Sequence, residues 1–297
     1  NLLVNNFGTV SFNNNATNVI GTVAANNVGR LYLQNNAALT VGSITGSDGV
    51  TVNGITAREN VWLQTISGNL TVGRSISTSN GDIQLVAGSS RSTGYVTDDN
   101  LLLNPANTPT ITAQKAGAPG LVTLYTGSIA NSTGVTGLVG SGSGNFRYNS
   151  KLGTSNFSTA LGSTGTYAIY REQPTVSVVG KDETITYGDT PTLLTDVGGT
   201  PVNGDTFQMI GVSATSPSVV YNAANTAAVA ASDNGTALYD AGTYTLRPSS
   251  VPSGTSALGY SVTGGSGWLT DNTRALTKSG IAASDEIKQR LIALQPV

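Results

Sequence analysis

The chain has 297 residues, of which 38% are hydrophobic, 10% charged and 6% aromatic, with a formal net charge of −2. That is enough apolar material for a core and too little charge to hold a chain open by repulsion. With no His and no Cys, Ser-His-Asp and Cys-His nucleophiles, His/Cys zinc sites, disulfides and CxxC redox pairs are excluded, and the absence of basic runs and of long apolar stretches argues against nucleic acid and against a membrane span.

The N-terminus, Asn1-Leu-Leu-Val, has no basic or cleavable apolar leader, so any secretion signal is expected to lie outside this sequence. The first part of the chain repeats itself. Gly29-Arg-Leu-Tyr-Leu-Gln34 followed by Ala38-Leu-Thr-Val-Gly-Ser-Ile44 recurs as Asn60-Val-Trp-Leu-Gln64 followed by Asn69-Leu-Thr-Val-Gly-Arg-Ser-Ile76. This alignment places Leu33 with Leu63, Leu39 with Leu70, Ile44 with Ile76, and Val50 and Val52 with Ile83 and Leu85. A third, partial copy is Val122-Thr-Leu-Tyr-Thr-Gly-Ser-Ile129.

Within each copy the apolar period is two, as in half-buried strands. Short strands separated by Gly, Asn, Ser and Asp clusters bury a face only by stacking, and the architecture that stacks them is a parallel β-helix. The 27 asparagines, 11 of them before position 37, fit its corners, where amides one strand spacing apart hydrogen-bond into ladders. Residues 89–120 break the rhythm and read as an excursion packed on one face. Asp98 and Asp99 lack calcium-loop spacing and read as a solvated turn, so no metal and no cofactor is expected.

Composition shifts near Tyr170: residues 1–170 carry a balance of +2 and residues 171–297 one of −4. Arg171-Glu-Gln-Pro174 reads as a linker. Residues 175–278 offer about seven strands, among them Thr192–Leu194, Phe207–Ile210 and Thr243–Leu246, which is the pattern of an Ig-like antiparallel β-sandwich. Tyr244 is placed to form a corner with its hydroxyl on backbone. Residues 279–297 read as a short helical tail, with Ser284 as its cap and an apolar stripe of Ile287, Leu291, Ile292 and Leu294 ending before Pro296.

Several runs carry a resemblance. Gly68-Asn-Leu-Thr-Val-Gly73 and Asn80-Gly-Asp-Ile-Gln-Leu-Val-Ala-Gly88 resemble shaft repeats of two-partner-secreted, filamentous-haemagglutinin-like adhesins. Val122–Ile129, Gly140–Asn149, Tyr167–Pro174 and Ile185–Asp189 resemble the junction between such a shaft and a bacterial Ig-like MBG-type domain. The resemblance implies a protein of a Gram-negative bacterium exported through an outer-membrane transporter, secreted or held at the cell surface, and serving adhesion or biofilm-matrix scaffolding. The family's N-terminal secretion domain and its paired-cysteine anchor are not in this sequence.

The functional expectation is a non-catalytic rod that contacts extracellular polysaccharide or a cell-surface glycan. Tyr32 and Trp62 occupy matching outward positions in successive repeats, with Tyr125 a third, and exposed aromatic faces suit sugar rings. The alternative is a subunit that polymerises head-to-tail, the tail 279–297 of one copy covering the open edge of the next. A β-helical polysaccharide lyase or hydrolase is the rival. It needs converging carboxylates, and residues 1–170 supply only Asp48, Glu59, Asp82, Asp98 and Asp99.

Overall fold

A computed structural model describes residues 1–13, 17–186, 188–214, 217–228, 231–233, 236–240, 242–251 and 256–272. It is an all-β protein, 44% strand and 4% helix. No helix among the described residues is long and apolar enough to cross a membrane. The predicted tail, with Ile287, Leu291, Ile292 and Leu294, lies outside the described residues.

The chain forms two compact units. One comprises Asn1–Ser177, Gly198–Ser213 and Pro252–Thr263; the other comprises Val178–Val197, Ala214–Val251 and Gly264–Val297. The compositional step near Tyr170 therefore differs from the structural division, because two later segments join the first unit.

The first unit opens with β1 (Leu2–Asn5), β2 (Thr9–Phe12) and the long β3 (Thr22–Val28). The next pass of the chain is β4 (Arg30–Asn35), β5 (Leu39–Val41), a hairpin of β6 (Ser43–Thr45) and β7 (Thr51–Asn53), and β8 (Ile55–Ala57). It is followed by β9 (Val61–Thr65), β10 (Leu70–Val72) and β11 (Ile76–Thr78), then by β12 (Ile83–Val86), β13 (Leu101–Leu103) and β14 (Ile111–Thr112). A small hairpin of β15 (Gln114–Lys115) and β16 (Ala118–Pro119) precedes β17 (Leu121–Thr126), α1 (Val135–Val139), β18 (Phe146–Arg147) and β19 (Gly165–Tyr170).

These passes build two parallel sheets. One has the order β18-β19-β17-β12-β9-β4-β2. The other has the order β13-β10-β5-β3-β8-β11-β14, with β1 also on β3. Each pass from β4 to β14 visits the first sheet once and the second twice. The register stacks like on like: Leu31 beside Val61, Ile83 and Val122, and Leu33 beside Leu63, Leu85 and Leu124. All eight side chains are buried, and each contributes on the order of 1.5–3 kcal/mol by leaving water.

The equivalences of Leu33 with Leu63 and of Leu39 with Leu70 are realised. The other three expected from the repeat are not. Ile76 pairs with Ile55, Ile44 pairs with Val52 inside the β6–β7 hairpin, and Ile83 and Leu85 pair with Val61 and Leu63 rather than with Val50 and Val52. That hairpin is an insertion within a pass, and its Gly-Ser-Ile run mimics a rung it does not form. Residues 89–120 are also more than an excursion, since β13 pairs with β10 and β14 with β11.

Corner side chains continue the stack. The Asn26 and Asn27 amides donate to the Oδ1 atoms of Asn5 and Asn6 at 3.0 and 2.9 Å. Asn60 Oδ1 accepts from the Asp82 amide at 2.8 Å, and Asp82 Oδ1 in turn accepts from the Leu121 amide at 2.9 Å. Asn69 and Asn100 repeat the pattern onto the amides of Asn100 and Ser128. Backbone groups at corners without sheet partners are satisfied in this way.

Arg171 is not in a linker. It is 2% exposed, and its guanidinium donates to the carbonyls of Ala87, Tyr95, Asp98 and Asp99. Burial presses its pKa down, and the fan of carbonyls is what keeps the charge tolerable there.

The remaining elements are β20 (Thr175–Gly180), β21 (Glu183–Thr186), β22 (Thr195–Gly198), α2 (Phe207–Ile210), β23 (Ser218–Tyr221), β24 (Ala231–Asp233), β25 (Thr236–Leu238), β26 (Gly242–Pro248), β27 (Ser261–Gly265) and β28 (Gly267–Asn272). Phe207–Ile210, expected as a strand, is a single helical turn. The Thr206 hydroxyl caps it by accepting from the Met209 amide, and Gly211 ends it in the left-handed region at φ 80°, as Ser/Thr caps and a following glycine dictate. Thr192–Leu194 precedes β22 rather than forming a strand.

In the second unit β26 pairs antiparallel with β23 and β28, around a core of Val220, Leu246 and Leu269. β21 joins β28 in parallel, so this sheet is mixed where an antiparallel one was expected. The two strands are far apart in sequence, and no hairpin fixes their direction. The Tyr244 hydroxyl donates to the Asp240 carbonyl at 2.8 Å, the corner read from the sequence.

Candidate functional site

The strands β4, β9, β12 and β17 alternate, so every residue between the inward Leu, Ile and Val side chains faces out. One outward column runs Tyr32, Trp62, Gln84, Thr123, because the register pairs each with the next. The rings of Tyr32 and Trp62 meet edge to face, with centroids 6.2 Å apart at 71°, an arrangement favoured by the ring quadrupoles. Tyr125 belongs to the next column, opposite Val86. The sequence expectation of a third aromatic in line with Tyr32 and Trp62 is corrected by one pleat: Thr123 holds that place.

All three aromatics nevertheless line one groove of about 520 Å³, together with Asn60, Asp82, Gln84, Thr123 and Leu161. None of its lining residues lies in 89–120. The ladder hydrogen bonds described above fix the corner side chains Asn60 and Asp82. Burial pushes the Asp82 carboxyl up, but the Leu121 amide and Lys115, whose ammonium lies 3.0 Å away, together hold it below its usual value. Burial also raises the Tyr125 hydroxyl, so it stays protonated and able to donate. Trp62 Nε1 is shielded from water and has no hydrogen-bond acceptor.

Sequence reasoning found the aromatics from their alternation but missed Gln84, Thr123 and Leu161. Gln84 and Thr123 carried a usable signal, since both sit at the outward position of their repeat copies. Leu161 carried none, because it lies outside every strand.

The acids of the first unit serve the framework. Glu59 pairs with Arg30. Asp48 accepts from the Val50 amide at 3.0 Å. Asp99 is not in a solvated turn: it is 1% exposed, at φ 60°, and its carboxylate takes the Gly68 amide and the Arg91 guanidinium. Asp98 lies 3.8 Å from Arg91. Among the described residues no three acidic side chains gather as metal ligands do.

A second polar cluster is built on the buried Tyr148, Tyr170, Asp205 and Tyr260, with Asn203 half-buried beside them. Asp205 Oδ2 accepts from the hydroxyls of Tyr148 at 2.6 Å and Tyr260 at 2.9 Å. Asn203 donates to the Tyr148 hydroxyl at 3.1 Å. Tyr148 stacks on Tyr170 with centroids 5.8 Å apart and meets Tyr260 edge to face at 4.7 Å. Burial raises the Asp205 carboxyl and all three phenols, with Tyr170 pushed up to about 12. This cluster opens on no groove lined by the aromatics above and reads as a packed lock within the unit.

Comparison with known protein families, with curated proteins and with solved structures gives no match for this chain.

Proposed function

We propose that this chain is a non-catalytic segment of an extracellular adhesin or biofilm-matrix scaffold. In this reading residues 1–170 are a parallel β-helix shaft of the filamentous-haemagglutinin-like kind, and the second unit is an Ig-like, MBG-type module. The protein would be exported by an outer-membrane transporter and act outside, or on the surface of, a Gram-negative cell.

The carrying observation is the unbroken parallel register from β2 through β4, β9, β12 and β17 to β19. Such a ladder extends by repetition and keeps a rigid surface exposed along its length. The acids Asp48, Glu59, Asp82, Asp98 and Asp99 each have a framework partner, which favours a scaffold over the polysaccharide lyase or hydrolase. The test is to coat beads with the purified protein and measure their retention on bacterial biofilm matrix and on cells, while assaying released reducing ends and unsaturated uronides. Retention without depolymerisation supports the proposal, and depolymerisation lost in Asp82→Asn overturns it.

One observation favours the head-to-tail filament as a second reading. Among the described residues β1 pairs only with β3 and β2 only with β4, and nearby Phe7 is 60% exposed. Free strand edges beside apolar side chains invite another strand. Sedimentation velocity across a concentration series decides it: growth into polymers supports assembly, and a constant monomer excludes it.

A further inference from the structure

We propose that the groove over Tyr32, Trp62 and Tyr125 is a binding site for a neutral polysaccharide chain lying along the stack, across the strands. The inference deepens the adhesive reading by naming what this face takes, and it rests on that reading for the source of the glycan.

Two observations carry it. First, the groove has the chemistry of a sugar site: the aromatic side chains of Tyr32, Trp62 and Tyr125 line it together with the amide and hydroxyl groups of Asn60, Gln84 and Thr123. Pyranose rings present an apolar face and a rim of hydroxyls, and a lining of this mixture meets both. Strand neighbours repeat about every 4.8 Å, close to the length of one sugar unit, so successive rings of a chain meet successive outward residues of the column. At about 520 Å³ the groove falls among ligand-sized clefts.

Second, charge selects against acidic chains. Asp82 is the one carboxylate among the lining residues, and no Lys or Arg lines the groove. Lys115 is engaged with the Asp82 carboxylate. A uronate chain would meet a negative group with no free cation to receive its own carboxylates, whereas a neutral chain can donate hydroxyls to Asp82.

Trp62 and Trp268 are the two tryptophans of the chain, and Trp268 is 56% exposed. The full chain carrying Trp268→Phe therefore reports on Trp62 alone. Titration with cellohexaose, laminarihexaose, maltohexaose and mannohexaose should shift the Trp62 emission saturably for at least one of them, while hexagalacturonate leaves it unchanged. Calorimetry with the responding hexasaccharide should show at least tenfold weaker binding for Gln84→Lys, which fills the groove without touching the buried face.

Silence from all four neutral hexasaccharides overturns the site, and so does unchanged affinity in Gln84→Lys. Preference for hexagalacturonate overturns the neutral-chain assignment. If the coated beads still adhere while no oligosaccharide binds here, the adhesive reading stands and this inference falls.

Discussion

Tyr148 donates its hydroxyl to Asp205 at 2.6 Å in a site where both are nearly sealed from water. Burial outweighs this bond and the one from Tyr260, so the carboxyl is raised from its usual value of 3.8. The folded chain therefore keeps a proton that the unfolded chain releases. Stability from this group is full below about pH 3.8 and declines as pH rises through the folded value. Asp205→Asn accepts from both hydroxyls without a charge to bury, so the melting temperature of wild type minus that of Asp205→Asn should become more negative as pH rises from 4 toward neutrality. Differential scanning calorimetry from pH 4 to 8 measures it, and a difference that is flat or opposite in slope contradicts the assignment.

Arg171 should be among the most sensitive positions in the first unit. Its guanidinium is shared by the carbonyls of Ala87, Tyr95, Asp98 and Asp99, and truncation leaves the buried acceptors of Ala87 and Asp99 unpaired. Arg171→Met should cost about 3 kcal/mol or more in urea unfolding. Arg171→Lys should recover little, because a point ammonium cannot serve a planar fork of acceptors.

Asn100 tests the corner ladders. It is 3% exposed, and its Oδ1 accepts from the Ser128 amide at 2.7 Å. Asn100→Ala should cost about 1–2 kcal/mol by orphaning that buried amide. Asn100→Asp keeps an acceptor at the same place and should lose less at neutral pH. Equal losses in the two variants would show that the amide acceptor is not what the corner needs.

The sequence was readable where one physical rule acted alone. Period-two alternation located β4, β9, β12 and β17 and the outward faces of Tyr32 and Trp62, because burial on one side leaves no other choice. Asparagine corners were readable for the same reason, as was the Tyr244 corner. What misled was any segment in which two rules competed. Ile44 lies in a motif that copies a true rung, yet an antiparallel partner within hairpin reach captures it. Phe207–Ile210 is apolar enough for a strand, but Thr206 and Gly211 bracket it as a capped turn. Arg171 sits in a polar, proline-bearing run with the composition of a linker, and only the distant carbonyls it serves reveal that it is interior. Leu161 and Asp205 reach their sites through tertiary placement that no local pattern encodes.

The β6–β7 hairpin gives the most direct test of the stack itself. Its two ends are already joined, since the Gly54 amide donates to the Gly42 carbonyl at 2.8 Å. The following pass links β10 to β11 with only Gly73, Arg74 and Ser75, so a short connection suffices. Replacing Ser43–Asn53 by a single Ser should preserve the ladder, with an unchanged far-ultraviolet spectrum and a loss of about 1–2 kcal/mol from the buried Val52 side chain. Removing Leu101–Ile111 instead deletes β13 and half of β14, where Leu101 and Leu103 pair beside β10 and Ile111 beside β11, all three buried, at a cost of about 2–5 kcal/mol for each large side chain lost. That variant should fail to reach a cooperative transition. If the two deletions behave alike, the hairpin is part of the stack rather than an ornament on it.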